Sequence, residues 1–113
     1  MSVDEYFAGR PEWERPIFEE IRDHLDIVGD VHVEAVQVGV FFKRSRTFAE
    51  LRPLRGRVRL SVLLSSRLRH PRIVKRWQGS GGRGAYFIDL RQPEDVDADV
   101  RDWLIEAYLA SPV

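Results

Sequence analysis

Short apolar segments between residues 31 and 91 constrain the fold more than any other feature of this chain. In the clearest of them, RVRLSVLLS at 57–65, every second residue is apolar at first, as in a strand with one buried face. The connections between the segments are too short for the helical crossovers that parallel neighbours require. The sequence therefore predicts a mostly antiparallel sheet of five or six strands, with strand patterns at 31–37, 38–44, 47–54, 57–65, 72–77 and 85–91.

Amphipathic helices are predicted on both sides of these strands. An apolar stripe with helical spacing, from Ile17 to Leu25, predicts a helix over residues 13–28. The segment 99–108, DVRDWLIEAY, carries a second stripe and predicts a C-terminal helix. Both stripes need an apolar surface, which one face of the sheet provides. The expected architecture is a single α+β domain over residues 1–113, with an N-terminal and a C-terminal helix on one sheet face.

Local signals predict where several elements begin and end. The segment DEYFAG at 4–9 predicts a short helical turn that ends at Gly9. Asp97 or Asp95 is expected to cap the C-terminal helix, because aspartate accepts hydrogen bonds from the first helical N–H groups. Pro53 indicates that its strand either ends there or lies at an edge of the sheet, since proline cannot donate to a strand ladder.

The composition is that of an ordinary globular domain. Hydrophobic residues make up 43% of the 113 residues and charged residues 32%, which argues against disorder. There is no cysteine, which excludes disulfides, thiolate zinc sites and cysteine nucleophiles. The longest apolar runs are far too short to cross a bilayer, and the acidic N-terminus lacks a signal-peptide pattern. We therefore expect a cytoplasmic protein without a membrane partner.

Charge is strongly sorted along the chain, although the formal net charge is zero. Between Lys43 and Arg76 there are twelve Lys or Arg and one acid, a net charge of +11. Residues 1–42 carry −7 and residues 77–113 carry −4. This distribution can produce a basic surface that attracts phosphates or another anionic partner. Alternatively, the acidic flanks fold back and neutralise the basic strands, and the sequence leaves both outcomes open.

Solvent-facing residues of the basic stretch are the candidates for contact with nucleic acid or another anion. Arg57 and Arg59 alternate with buried positions and are expected to point away from the core. Trp77 ends a basic strand beside a glycine-rich loop, where its ring could stack on a base. The candidate residues are Arg44, Arg46, Arg57, Arg59, Lys75, Arg76, Trp77 and Arg83.

Motifs for catalysis, cofactors or metals are not predicted. The segment GSGGRG at 79–84 has the letters of a dinucleotide fingerprint, but it precedes a strand rather than a helix, so a hairpin loop is expected. His24, His32 and His70 share no metal-ligand spacing, and no serine lies in a nucleophile-elbow motif. We therefore predict no catalytic, cofactor-binding or metal-binding residues, and favour a binding module over an enzyme.

Three functional hypotheses remain at this point. The first is a non-catalytic binding module whose basic central region contacts nucleic acid or another anionic partner. The second is a protein-interaction or self-assembly module, such as a homodimer with Trp13 or Trp77 as a buried anchor. The third is a small-molecule site or an enzyme that uses a cleft between sheet and helix. Such a cleft could be lined by aromatic residues, although core packing is the stronger interpretation for them: Phe41, Phe42, Phe48, Tyr86 and Phe87.

The order of the segments resembles the family described as domain of unknown function 5655. The resembling stretches are YFAGRPE (6–12), IFEEIRDHL (17–25), VHVEAVQVGVFFKRSRTFAEL (31–51), RLSVLLS (59–65), RIVKRW (72–77) and DVRDWLIEAY (99–108). The resemblance implies a compact α+β domain that stands alone in some relatives and is appended to larger proteins in others, some with restriction-like neighbours. It therefore implies nucleic acid as a partner class, by analogy, and it supplies no catalytic residues.

Overall fold

The structure is a computed structural model that describes residues 1–65, 67–79 and 81–111. The helices lie at the two ends of the chain and the strands lie between them, as the sequence predicts. Their bounds are α1 (Val3–Ala8), α2 (Glu14–Val28), β1 (His32–Val36), β2 (Gly39–Lys43), β3 (Thr47–Leu54), β4 (Arg57–Leu64), β5 (Ile73–Gln78), β6 (Gly84–Leu90) and α3 (Ala98–Ala110), with a 3₁₀ turn at Pro93–Asp95. Each predicted strand and helix is present, within about two residues of its expected position.

The strands form a single sheet in the order β1-β2-β3-β4-β6-β5, and each neighbouring pair is antiparallel. Consecutive strands are joined by short turns except at one place. Residues 65–72 lead from the end of β4 back to the start of β5, so that β6 lies between these two strands. This arrangement leaves β1 and β5 at the edges, and it confirms the predicted α+β fold.

The N-terminal ends of α1 and α3 follow from their capping residues. In α1, Ser2 accepts from the backbone N–H of Glu5, whose carboxylate accepts from the backbone N–H of Ser2, a reciprocal capping box. In α3, the Asp97 carboxylate accepts from the backbone N–H of Val100 and is therefore the N-cap. The other predicted candidate, Asp95, accepts backbone N–H groups around the preceding 3₁₀ turn instead.

The hydrophobic core lies between the helices and one face of the sheet. The rings of Phe18 on α2 and Phe42 on β2 stack with their centroids 5.8 Å apart. At the other side of the core, Tyr108 on α3 meets the ring of Phe48 edge-on at 5.6 Å. All four of these rings are buried in one contiguous cluster to which α1 also contributes. The helices therefore occupy the same face of the sheet, as the sequence predicts.

The sequence predicts Pro53 either in an edge strand or near the end of its strand, and the first of these placements is wrong. The strand that contains it, β3, lies in the interior of the sheet and not at an edge. The pairing of β3 with β2 ends at Leu51, so Pro53 lies where β4 is its only neighbour in the sheet. A missing N–H group costs least there. The alternative prediction, a proline near the end of its strand, is confirmed.

Candidate anion-binding surface

The acidic flanks neutralise part of the basic stretch, because strand pairing brings distant charges together. On β1, Glu34 accepts a hydrogen bond of 2.9 Å from the ammonium group of Lys43, which lowers the pKa of Glu34. At the other end of the chain, Asp97 pairs with Arg72, which also donates to the backbone oxygen of Asp95 at 2.8 Å. The acidic flanks thus neutralise some residues of the basic stretch, and the remaining basic residues decide whether an open basic surface exists.

Arg57 and Arg59 share one carboxylate on the face of the sheet away from the helices. Arg59 Nε lies 2.7 Å from Asp89 Oδ1, and Arg59 Nη2 lies 3.2 Å from Asp89 Oδ2. Arg57 Nε donates to the same Oδ2 at 2.9 Å. The hydrogen bonds from Arg59, assisted by those from Arg57, lower the pKa of Asp89. Arg57 and Arg59 thus point away from the core, as predicted, and both form ion pairs with Asp89 on the neighbouring strand β6.

Arg44 is occupied at the C-terminal end of α3. Its Nη1 atom donates to the backbone oxygens of Tyr108 and Ser111, both at 3.0 Å. The guanidinium carbon lies 4.2 Å from the centroid of the Tyr108 ring, within the range of a cation–π contact. Arg46, two residues later, is exposed, and its side chain has no partner within the described ranges. The structure thus separates these two candidates into a helix anchor and a free cation.

The edge strand β5 is the most exposed element of the sheet. Lys75, Arg76 and Trp77 are all exposed, and the Trp77 side chain retains 62% of its accessible surface. Lys75 and Trp77 share a sheet face with Phe87 and Ala85 of β6, because Lys75 is opposite Phe87 and Trp77 is opposite Ala85. The Trp77 ring is therefore available to a partner and is not part of the hydrophobic core.

Three arginines converge beside this edge. Arg67, Arg69 and Arg76 line a depression of about 350 Å³ together with Gln78, and no carboxylate lines it among the described residues. We call these four residues the arginine pocket. Arg76 Nη1 makes a long hydrogen bond of 3.4 Å to the backbone oxygen of Leu68. Arg67 and Arg69 are exposed and have no ion-pair partner among the described residues.

Leu68 explains why its two arginine neighbours face solvent. Its side chain packs against the core, and its backbone N–H donates to the Tyr86 hydroxyl at 3.3 Å. Arg67 and Arg69, on either side of this inward side chain, are both exposed. The pattern Arg-Leu-Arg was the available signal for Arg67 and Arg69. The candidates chosen from the sequence lay in or beside predicted strands and in the glycine-rich loop, and they did not include Arg67 and Arg69, which lie between two strands.

His70 fixes the segment that carries these arginines onto α3. Its Nε2 atom lies 3.1 Å from Asp99 Oδ2, and its Nδ1 accepts from the backbone N–H of Arg72 at 3.1 Å. The imidazole also meets the Trp103 ring edge-on, with centroids 5.0 Å apart. A histidine with a structural role thus holds the connection between β4 and β5. No cluster of three or more His, Asp or Glu side chains in the described ranges could hold a metal ion.

The glycine-rich segment forms the turn between β5 and β6. The backbone N–H of Gly79 donates to the backbone oxygen of Arg83 at 2.9 Å, and β6 begins at Gly84. No helix follows, so a phosphate has no helix N-terminus to meet at this turn. The Arg83 side chain is partly exposed and has no partner among the residues described, while Gln78 of the arginine pocket lies beside its backbone. Ser80 lies outside the described residues.

The five aromatic residues of the third hypothesis do not lie along one cleft between sheet and helix. Phe42, Phe48 and Tyr86 are buried in the core, whereas Phe41 and Phe87 lie on the opposite face of the sheet. The favoured interpretation, core packing, is confirmed for the first three residues. It is wrong for Phe41 and Phe87, because adjacent residues in a strand point to opposite faces. A cleft of this composition therefore cannot be the small-molecule site of the third hypothesis.

Comparison with known proteins places the chain in one family. The model of the family described as "Domain of unknown function (DUF5655)" matches residues 3–111, nearly the whole chain. No curated protein matches the chain, and no solved structure does. Within the described ranges, no helix combines the length and apolar character needed to cross a membrane. The extent of the family match agrees with the order of segments in the sequence, and the chain belongs to the DUF5655 family.

Proposed function

We propose that this domain is a non-catalytic module that binds the phosphate backbone of a nucleic acid through the arginine pocket. The observation that carries the proposal is the convergence of Arg67, Arg69 and Arg76 on one depression without a carboxylate. Guanidinium groups repel each other when they converge, and a bound phosphate relieves that repulsion by bidentate hydrogen bonding. Lys43, Arg57, Arg59 and Arg72 of the central stretch have acidic partners. Arg46 and Arg55 are exposed without an acidic partner among the described residues, but neither lines the arginine pocket, where three such arginines meet.

Neighbouring basic residues extend this surface along β5. Arg69 and Arg76 also line a second depression of about 370 Å³, to which Lys75 contributes. Arg83 lies beside Gln78 at the end of the strand. A phosphate backbone that follows the edge of the sheet would meet these five basic residues in succession. A cytoplasmic location, where nucleic acid is present, is part of this proposal.

The charges of the edge strand β5 support the self-assembly hypothesis less well than they support anion binding. Antiparallel pairing of β5 with β5 of a second copy about the centre of the strand would place Lys75 of each copy opposite Arg76 of the other. Like charges directly opposite each other destabilise a strand pair, and charged side chains protect natural edge strands from such pairing. A sedimentation measurement at high micromolar concentration tests this point, and we expect a monomer.

The test of the proposal compares two variants that lose the same charge. Fluorescence anisotropy with labelled DNA and RNA oligonucleotides at about 50 mM salt measures the affinity. We expect micromolar binding by the wild type and at least a tenfold loss in the pocket variant, Arg67→Gln/Arg69→Gln/Arg76→Gln. The control variant, Arg46→Gln/Arg55→Gln/Arg91→Gln, changes three exposed arginines outside the pocket and should bind nearly as the wild type does. Equal losses in both variants, or no binding by the wild type, would refute the proposal.

A further inference from the structure

The face of the sheet away from the helices carries a platform of partly exposed apolar side chains. Phe41, Leu63 and Phe87 are each partly exposed, and they belong neither to the core cluster nor to the side chains packed against it. Strand register places Phe41 and Phe87 in one row across the sheet, with Glu50 and Ser61 between them. We call this surface the open face.

Aromatic side chains on this face lie next to the basic edge. Phe87 on β6 and Trp77 on β5 are diagonal neighbours, because Trp77 is opposite Ala85, two residues before Phe87. Such diagonal pairs are about 7–8 Å apart. Lys75 Nζ lies 5.6 Å from the centroid of the Phe87 ring, on the same face. The edge strand thus presents two aromatic rings and a cation on one side and Arg76 on the other.

The charges of the open face do not oppose an anionic partner. Glu50 is paired with Arg52 at 3.2 Å, and Asp89 is held by Arg57 and Arg59. Each of these carboxylates is therefore neutralised by a basic neighbour, and Lys75 adds a positive charge beside the rings. Between Phe41 and Leu63 lies a depression of about 290 Å³.

We infer that the nucleic acid bound by this domain is single-stranded, with unpaired bases stacked on Trp77 and Phe87 of the open face. This inference rests on the proposed function: a strand whose phosphates lie in the arginine pocket, on the Arg76 side of β5, passes round the exposed edge of that strand, and its bases then meet the rings on the other side. A duplex hides the flat faces of its bases, whereas a single strand exposes them to aromatic side chains. The polar groups of Glu50 and Ser61 lie where a third base would meet the open face.

The experiment compares three probes of equal length. They are a labelled single-stranded oligothymidine, the duplex that it forms with oligoadenosine, and an abasic strand with the same phosphates. We expect the single strand to bind most tightly, since only it offers both phosphates and exposed bases. The variants Trp77→Ala and Phe87→Leu should each weaken binding of the single strand by about 5- to 150-fold and leave the abasic strand unaffected. Leu109→Ala, which changes an exposed apolar side chain of α3, is the matched control.

The outcomes separate this inference from the proposed function. If the duplex and the abasic strand bind as tightly as the single strand, or if Trp77→Ala binds like the wild type, the inference is wrong. The proposed function survives that result provided that the pocket variant still loses affinity. Because Trp77 is 62% exposed, Trp77→Ala should fold even if Phe87→Leu does not. Circular dichroism of each variant checks this point.

Discussion

Arg44 offers the sharpest test of how this fold uses its basic residues. Its guanidinium closes the C-terminal end of α3 by donating to two backbone oxygens and by covering the Tyr108 ring. Both hydrogen bonds come from the same nitrogen, so we count them as one charge-assisted interaction worth roughly 1.5–3 kcal/mol. The cation–π contact adds about 0.5–1 kcal/mol at a partly exposed site. Since such contributions are not fully additive, Arg44→Ala should lower the free energy of unfolding by about 2–3 kcal/mol.

Urea denaturation followed by tryptophan fluorescence and circular dichroism measures this loss. The midpoint should fall while the dependence on urea concentration stays constant, because the buried surface hardly changes. Arg46→Ala is the control, since this exposed arginine should change stability by no more than about 0.5 kcal/mol. Equal stability of the two variants would refute the assignment of Arg44 as a helix anchor. If the Arg44→Ala protein folds but loses affinity for nucleic acid, Arg44 contacts the anionic partner directly.

Two further predictions test the sheet. Phe42→Ala, which empties a fully buried site, should cost about 3–5 kcal/mol in urea denaturation, whereas Phe41→Ala on the open face should cost clearly less; similar losses would contradict the register. Asp89→Asn should destabilise the protein by about 1–2 kcal/mol at pH 7 after allowance for partial exposure. Folding lowers the pKa of Asp89, so the stability that this carboxylate contributes is present above its unfolded pKa near 4 and is lost as the pH falls through its folded pKa. The free energies of unfolding of the two proteins should therefore become equal in acid. A difference that does not depend on pH would contradict this.

Local patterns were sufficient to predict the architecture. The alternation in β4 and the helical stripe of α2 each depend on residues within a few positions of one another, so they can be read without knowledge of the partners. Capping also follows local rules, and Asp97 was one of only two candidates. The position of Pro53 in the sheet could not be predicted from local patterns. It depends on where the pairing of β3 with β2 ends, because a proline fits an interior strand only where no neighbour needs its N–H group.

The charge partners were beyond the reach of local patterns. Arg59 and Asp89 are thirty residues apart in the chain, and only the pairing of β4 with β6 brings them together. The same is true of Arg44, whose partners lie at the far end of the chain. The net charge of a segment does not specify which of its members keep a free guanidinium. The arginine pocket consists of arginines without an acidic partner among the described residues, and it is the folded structure that decides which arginines those are.

The salt dependence of binding tests the central claim most directly. The logarithm of the association constant for a single-stranded oligonucleotide is measured against the logarithm of salt concentration, between about 50 and 200 mM. Each phosphate contact contributes about −0.7 to the slope for a single strand. The account predicts that Arg67→Gln/Arg69→Gln/Arg76→Gln makes the slope about two units less negative, while Arg46→Gln/Arg55→Gln/Arg91→Gln leaves it near the wild-type value. A slope that the pocket variant does not change, or that both variants change equally, would contradict it.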